Sequence, residues 1–516
     1  MHMTERTSER RTALGAPALL ILFSAAWKLA LAALVTHWVL VDDAYITLRY
    51  AKNAVERGAL VYNPGQAVFG VTAPLWAFVT TGLYALAGAH VERAVIVLNV
   101  ALWSLAAWLV ARSTPRPARL TVLALFLLAP SLVDNQMLGM ETPLFVVLAL
   151  GAASAALGAR VRTCAACAGL LFVSRPEGVL FAPFLLYALS RAAARSSGAP
   201  LGLVGALRRL ARPAPLALLF GPGLAWIAFS LARYGSVVPQ SMLAKSGWNS
   251  AHYESLFSFE SALMTVPRMT FLPFVDYFPR ALALGLAAAT VAVVAWVVRA
   301  NVVRGSARSR AWLGFYLVYL GFYLLGKGAT EASWYSVPSS VALLLAAEPA
   351  WPRFLRAPRP ATVGALVLAL VAAGTLAVVR RAPLLQSYED GYGQCAATLN
   401  ALPEAWPPDA QRVVIGEIGV FGFRSVHPVV DVGALVSPEV LPLKNAGASF
   451  VSIVRDTRAS FFVISAVALE RNEYPSVGEV WRDEAERAWL EQRCRPIAAH
   501  RGKLVYRVLD RALAAL

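Results

Sequence analysis

Two adjacent carboxylates, Asp42 and Asp43, carry the strongest chemical signal in the sequence. They follow the first long apolar run, 16–40, and begin a short amphipathic segment that ends near Gly58. Carboxylates at the edge of a hydrocarbon layer are costly unless they face a polar cavity or a cation. Adjacent like charges also raise the proton affinity of one member of the pair, which suits a general base. The structural alternative is that Asp42 caps the helix and Asp43 favours its positive end.

Four further charged residues lie where apolar segments begin or end. Glu141 opens an apolar segment, either as a plain helix-start acid or as a second acid that orients an acceptor or a cation. Arg175 and Glu177 share a short turn, where they either pair with each other or leave Arg175 to grip a phosphate in bidentate fashion. Lys245 offers a point charge for phosphate, although a lone surface lysine is usually only solvated.

Two aromatic residues, Trp334 and Tyr335, begin another apolar segment. Side chains of this type contact sugars or lipids, and they equally form the aromatic belts found at membrane interfaces. The sequence alone leaves both interpretations open.

The composition indicates that lipid surrounds most of the chain. Of the 516 residues, 58% are hydrophobic and 15% are charged, compared with about 25% charged residues in a typical soluble protein. The net charge is +19 over residues 1–385 and −2 over residues 386–516. We therefore predict a basic transmembrane region, 1–385, with a first external loop at 41–70, and a soluble domain at 386–516. The basic residues form no nucleic-acid-binding stripe.

Short basic loops predict the orientation in the membrane. The segment from Arg191 to Arg212 contains five arginines and no acid, and the segment from Arg299 to Arg310 contains four and no acid. The positive-inside rule places both segments, and a third from Trp351 to Pro360, in the cytoplasm. The pattern then predicts about eleven transmembrane helices, two of them between residues 71 and 133, and an extracytoplasmic C-terminal domain.

The C-terminal segment 386–516 alternates strand-like and helix-like patterns, which predicts a small α/β domain. Strands are expected at Arg412–Ile415, Val429–Val432, Phe461–Ile464 and Lys503–Val508, and a helix at Glu479–Gln492. Cys395 and Cys494 bracket the domain, and an oxidising compartment would allow them to pair.

Several sequence blocks, in order along nearly the whole chain, carry a family resemblance. They are DDAYITLRYAKN (42–53), ALVYNPG (59–65), GVTAPLW (70–76), LGMETPL (138–144), SRPEG (174–178), YGSVVPQS (234–241) with Lys245, Trp334-Tyr335 with Pro338, IGEIG (415–419) and VDVGALVSP (430–438). The chain resembles the GT-C superfamily of multi-spanning membrane glycosyltransferases, in particular the terminal β-arabinofuranosyltransferases of mycobacterial cell walls. Gln240-Ser241 and Glu417 depart from the family pattern, which has Asn-Thr and Asp there.

The resemblance implies a sugar donor of the polyprenyl-phosphate type and an acceptor hydroxyl on a cell-envelope glycan or glycolipid. It implies an inverting transfer at the outer face of the bacterial inner membrane, with Asp42 or Asp43 as the general base. Glu141 is a further candidate for the catalytic site, as the second acid that orients the acceptor or a cation. Arg49, Arg175 and Lys245 are then candidates for the donor phosphate. Glu177, Trp334 and Tyr335 are candidates for substrate binding.

Other functions and a metal cofactor stay open at this point. Paired acids suit Mg²⁺ or Mn²⁺ through oxygen ligands, but no Cys/His ligand cluster is present. A transporter or flippase of lipid-linked sugars is one alternative, although its charges would lie inside the spans rather than at their outer ends. A non-catalytic membrane protein that binds glycans is the other.

Overall fold

Helices make up most of the chain. The computed structural model describes residues 2–197, 203–246, 259–271, 279–324, 333–351, 359–402 and 411–509. The predicted cytoplasmic loop Trp351–Pro360 lies largely outside these residues. The α-helices are His2–Leu34, Asp42–Arg57, Pro74–Ala87, Val91–Ser113, Arg119–Leu128, Pro130–Val133, Thr142–Leu157, Val161–Ser174, Ala182–Ser197, Leu203–Leu210, Pro213–Tyr234, Gln240–Ser246, Phe259–Arg268, Arg280–Arg304, Ala307–Phe322, Val337–Ala346, Pro360–Tyr388, Gln394–Asn400, Gly419–Arg424, Val440–Asn445, Phe450–Asp456, Ala466–Arg471 and Glu484–Arg493.

Six helical stretches among the described residues are long and apolar enough to cross a membrane. They are Gly15–Leu34, Pro74–Ser113, Pro176–Arg195, Pro213–Tyr234, Arg280–Arg304 and Pro360–Asn400. Two shorter apolar helices, Thr142–Leu157 and Val161–Ser174, accompany them. The chain is therefore a multi-pass membrane protein, whereas the count of eleven helices and the side of the C-terminal domain stay predictions.

A bent helix pair lies in the second half of the region 71–133, for which the sequence predicts two transmembrane helices. Its two parts, Arg116–Leu128 and Pro130–Gln136, meet at an angle of 55° and would form a seventh span if they cross together. Ala129 between them has extended backbone angles. A residue that precedes proline avoids the helical conformation, so Pro130 explains the break.

Contacts divide the chain into two compact units. The first comprises Met1–Trp38, Val95–Trp226 and Tyr253–Arg380. The second joins Val39–Ala94 and Ile227–His252 to Arg381–Leu516. The first external loop thus belongs to the same unit as the C-terminal segment, and the predicted boundary at 385/386 falls inside the helix Pro360–Tyr388. The division of the chain into transmembrane and soluble regions stays a prediction.

The second unit contains a five-stranded mixed sheet. Its strands are β1 (Val413–Ile415), β2 (Val429–Asp431), β3 (Phe461–Ser465), β4 (Cys494–His500) and β5 (Lys503–Val508), in the order β2-β1-β3-β5-β4. The register is parallel for β1 with β2 and β3, where Val413 lies beside Val429 and Phe461. It is antiparallel for β3 with β5 and for β5 with β4. All four predicted strands are present, and the predicted helix is observed at Glu484–Arg493.

The two faces of this sheet pack into separate hydrophobic clusters. Val414 and Phe462 contribute to one cluster, and Val413 and Val463 to the other, because successive strand residues point to opposite faces. Helix Asp42–Arg57 and the segment after it cover the second face, where Tyr50 and Tyr62 pack.

Cys395 and Cys494, for which the sequence left a disulfide open, do not pair. Cys494 lies in the cluster on the first face of the sheet and Cys395 in the cluster on the second. The sheet therefore separates the two buried cysteines, and both are free.

Candidate active site

Asp42 and Asp43 occupy the first turn of helix Asp42–Arg57, where the helix dipole favours negative charge. The helix ends at Gly58, whose φ of 68° is left-handed and therefore suits glycine. The sequence thus fixes both ends of the element that carries the two acids. Because the two residues are adjacent, the helix directs their side chains differently.

Asp42 is buried and binds the first turn of the distant helix Gly419–Arg424. Its Oδ2 accepts a hydrogen bond from the Gly419 N–H at 2.9 Å, and its Oδ1 accepts one from the Val420 N–H at 2.8 Å. A side chain at position 419 would overlap the main-chain carbonyl of Asp42 and lie 2.7 Å from its Cγ. Glycine at 419 is therefore what permits the contact.

Burial dominates the electrostatics of Asp42. Desolvation, followed by the negative charge of Glu417, raises the pKa of Asp42 well above its ordinary value, and the two backbone hydrogen bonds only partly oppose this effect. Both oxygens of Asp42 are already engaged by backbone donors of another element. Asp42 therefore does not cap its own helix, whose N-cap residue is Val41 and which has no side-chain cap.

Asp43 differs from its neighbour in being exposed to solvent. Enough protein nevertheless surrounds it for desolvation to raise the pKa of Asp43, and the positive charge of Lys245 lowers it in part. Lys245 lies at the end of helix Gln240–Ser246 and is exposed as well. An accessible carboxylate of increased proton affinity next to an ammonium group is suited to proton transfer.

Contacts with the loop after β2 hold the helix that carries Lys245. The Gln240 side-chain amide donates to the carbonyl of Ala434 at 3.1 Å. Lys444 donates to the carbonyl of Gly433 at 3.2 Å and to that of Ala244 at 3.4 Å. These hydrogen bonds hold the loop after β2 against helix Gln240–Ser246.

The carboxylate of Asp431 organises this same loop. It accepts hydrogen bonds from the N–H groups of Gly433, Leu435 and Val436. Asp431 is fully buried, and desolvation raises its pKa to about 6 despite these three bonds. Asp431 thus fixes the loop in the block VDVGALVSP (430–438), whose Ala434 carbonyl binds helix Gln240–Ser246, the helix that carries Lys245.

Glu417 is a site residue that the sequence analysis did not select as one. It precedes helix Gly419–Arg424, whose first turn Asp42 binds, and its side chain is exposed. Desolvation and then the charge of Asp43 raise the pKa of Glu417, whereas Lys503 lowers it. Its place in the block IGEIG (415–419) was the available signal, but nothing in that block indicates that it faces Asp43.

Arg49 is 3% exposed, and protein acceptors occupy all five of its N–H positions. The acceptors are the carbonyls of Tyr62, Gly422, Ser425 and His427 and the side-chain oxygen of Asn63. The guanidinium also lies 4.6 Å from the ring centroid of Tyr62. This geometry disfavours the predicted phosphate contact, because no donor is left for a phosphate.

A second cluster of predicted residues lies in the first unit. The Arg175 Nε is 3.4 Å from the Glu141 Oε1 and 3.7 Å from the Glu177 Oε2. Arg175 also donates to the carbonyl of Trp334 at 3.3 Å and lies 4.9 Å from the ring centroid of Tyr335. The structure thus brings five predicted residues together, and the Arg175–Glu177 pair that the sequence allowed is present.

The charged side chains of this second cluster are buried, so they must move before they can contact a substrate. Arg175 is 3% exposed, and Glu141 and Glu177 are each 7% exposed. Tyr323 donates to Glu177 at 3.0 Å, and Trp334 is buried, whereas Tyr335 keeps part of its surface accessible. The two carboxylates offset the charge of Arg175, and Tyr335 is the more accessible of the two aromatic residues.

A metal site is not evident in the described part of the chain. No group of three or more His, Cys, Asp or Glu side chains there is arranged to hold a metal ion. The Mg²⁺ or Mn²⁺ suggested by the paired acids stays a prediction.

Solved structures with a similar fold cover nearly the whole chain. ArnT from Cupriavidus metallidurans bound to undecaprenyl phosphate has a TM-score of 0.59 and 13% identity, over 95% of this chain and 97% of that chain. Its apo state has a TM-score of 0.60 and 12% identity over the same shares. The archaeal oligosaccharyltransferase AglB from Archaeoglobus fulgidus, in complex with an inhibitory peptide and a dolichol-phosphate, has a TM-score of 0.51 and 12% identity, over 88% of this chain and 70% of that chain.

At these identities the likeness concerns the fold alone. No protein-family model matches the sequence, and a search of curated proteins finds no significant match. The narrower resemblance to arabinofuranosyltransferases stays a prediction.

Proposed function

We propose that this protein is a membrane glycosyltransferase that moves a sugar from a polyprenyl-phosphate donor to a hydroxyl group of a cell-envelope glycan or glycolipid. The fold supports this class of reaction, since ArnT was solved with undecaprenyl phosphate and AglB with a dolichol-phosphate. The ordered sequence blocks support it independently.

Asp43 is the proposed general base, and the observation that carries this assignment is the contrast with Asp42. Asp42 is buried with both oxygens bound to backbone N–H groups, whereas Asp43 is exposed. A general base must reach the proton that it abstracts, which an exposed carboxylate can do. In this proposal Asp42 positions the loop that carries Glu417 and holds the start of the helix in place.

The proposed reaction is a single displacement at the anomeric carbon of the sugar. The acceptor hydroxyl gives its proton to Asp43 while its oxygen bonds to the anomeric carbon of the sugar. The bond from that carbon to the phosphate oxygen breaks, its electron pair leaves with polyprenyl phosphate, and the configuration inverts. A phosphate is already a stable anion, so its departure needs a cation more than an acid, and we assign that role to Lys245.

The cluster around Arg175 has a supporting role in the proposal. Because Glu141 and Glu177 flank the guanidinium, we propose that Arg175 orients these carboxylates in the resting state. Contact of Arg175 with the donor phosphate would require one of them to move away. Glu177 and Tyr335 remain proposed acceptor-binding groups, with Trp334 supporting Tyr335 from a buried position.

The test compares the two aspartates in reconstituted full-length protein. Mass spectrometry of the lipid-linked sugars that accumulate after gene deletion identifies the donor, and transfer is then measured as release of polyprenyl phosphate. We expect Asp43→Asn to lower kcat/KM by about 10²- to 10⁴-fold with an unchanged unfolding temperature. Asp42→Asn lowers the unfolding temperature, because an amide offers only one acceptor oxygen to two N–H groups.

Glu56→Gln serves as the control, since Glu56 is an exposed acid on the same helix and its change leaves the proposed base untouched. Full transfer activity in Asp43→Asn would reject Asp43 as the base. Transport of the labelled lipid across proteoliposomes, without transfer, would reject the enzyme in favour of the flippase.

A further inference from the structure

An arginine-lined cavity of about 840 Å³ lies within the first unit, apart from both clusters described above. Its lining combines the turn between two helices, Thr142–Leu157 and Val161–Ser174, with the start of a third, Pro213–Tyr234. Four of its ten lining residues are arginines, and none is acidic. The arginines are Arg160, Arg162, Arg209 and Arg212.

These arginines have no carboxylate partner among the described residues. Arg160, Arg162 and Arg212 are exposed, and Arg209 is half-buried. The one side-chain hydrogen bond found for the set runs from Arg160 to the Ser154 hydroxyl at 3.5 Å. Four positive charges around one cavity repel one another, and a bound anion offsets this repulsion. The cavity therefore suits a ligand that carries more than one negative charge.

Backbone groups at the same place also favour an anion. The first N–H groups of helix Val161–Ser174 have no partner within the helix, and no side chain caps them. The Thr163 hydroxyl lines the cavity beside them. Helix Pro213–Tyr234 adds the positive end of its dipole, although Pro213 and Pro215 have no N–H to donate.

We propose that this cavity binds phosphate groups, and that its occupant is the headgroup of an anionic membrane phospholipid. Arginine recognises phosphate through paired hydrogen bonds. The lining residues lie at the ends of apolar helices, and the positive-inside rule places them at the cytoplasmic boundary of the membrane, where anionic headgroups are found. A lipid with two phosphodiesters, such as diphosphatidylglycerol, matches four arginines better than a lipid with one.

The experiment pairs a cavity arginine with its neighbour outside the cavity. Full-length protein is incorporated into phosphatidylcholine nanodiscs that contain a small fraction of diphosphatidylglycerol, and retained lipid is quantified by native mass spectrometry after transfer to detergent. Arg209→Gln removes a lining charge. Arg208→Gln removes the same charge from the adjacent exposed residue, which does not line the cavity.

We expect Arg209→Gln and Arg160→Gln to weaken retention of diphosphatidylglycerol roughly tenfold, the loss of about one charge-assisted hydrogen bond, and Arg208→Gln to have no such effect. Saturable binding of inorganic phosphate with the same dependence, in protein that retains no lipid, would support the phosphate site with a soluble ligand. Equal losses in Arg208→Gln and Arg209→Gln would overturn the proposal, because overall charge would then explain retention. Unchanged retention and no phosphate binding in any variant would overturn it as well.

Discussion

Replacing Arg49 by lysine separates a structural role from the predicted contact with a donor phosphate. The guanidinium donates to five acceptors on two chain segments, 62–63 and 422–427. Asn53 and Val429 also donate to the Tyr62 carbonyl and to Asn63 Oδ1, but a lysine ammonium has three donors on one atom, so at least two of the five hydrogen bonds are lost. Each costs about 1–3 kcal/mol, and we expect Arg49→Lys to reduce the free energy of unfolding by about 4 kcal/mol, which is among the largest effects of single substitutions.

Thermal unfolding of the purified protein in one detergent measures this effect, and the donor KM is determined on the folded fraction. Arg57→Lys is the control, because Arg57 is an exposed residue in the last turn of the same helix, where the same change should leave the unfolding temperature unaltered. An unchanged unfolding temperature in Arg49→Lys together with a much higher KM for the donor would refute this reasoning and make Arg49 a phosphate ligand.

Three further predictions concern the same unit. Gly419→Ala pushes the start of helix Gly419–Arg424 away from Asp42 and loses two charge-assisted hydrogen bonds, so we expect the free energy of unfolding to fall by about 3 kcal/mol in thermal melts. The control Gly314→Ala meets no atom within 4 Å and lies inside helix Ala307–Phe322, where alanine is favoured over glycine by about 0.5–1 kcal/mol, so it does not destabilise. Burial raises the pKa of Asp431 to about 6, above about 3.9 in the unfolded chain. The ionised form is therefore disfavoured on folding, and the free energy of unfolding falls by about 3 kcal/mol between about pH 4 and pH 7, a slope that Asp431→Asn lacks. Lys245→Gln removes the positive charge that lowers the pKa of Asp43, so we expect the acid limb of the pH profile of kcat/KM to move to higher pH; a merely structural role would lower the rate at every pH without that shift.

The sequence predicted elements well where one local signal determines them. The two acids and the glycine that bound helix Asp42–Arg57 are local signals, and so are the apolar runs of β1, β2, β3 and β5. The edge strand β4 was missed because it includes the exposed Arg495 and Pro496, and its pairing with β5 is irregular between Pro496 and Ala498. Proline is confined to such edges.

Contacts between distant segments could not be predicted from a single sequence. Nothing local to Arg49 indicates that three of its acceptors lie more than 370 residues away, and a buried arginine next to an acid pair resembles a phosphate ligand until those acceptors are known. Glu417 was overlooked for the same reason, since its proximity to Asp43 follows from the bonds that Asp42 makes with the Gly419–Val420 backbone.

The second unit is assembled from three stretches of chain, Val39–Ala94, Ile227–His252 and Arg381–Leu516. During synthesis the first stretch is made long before the last one. Until then Asp42 and Arg49 cannot form their hydrogen bonds to the backbone of residues 419–427. Closing loops of this length is slow. The proposed base therefore acquires its fixed position only when the ribosome has delivered the final quarter of the polypeptide, and a truncated product would enter the membrane as an inactive bundle.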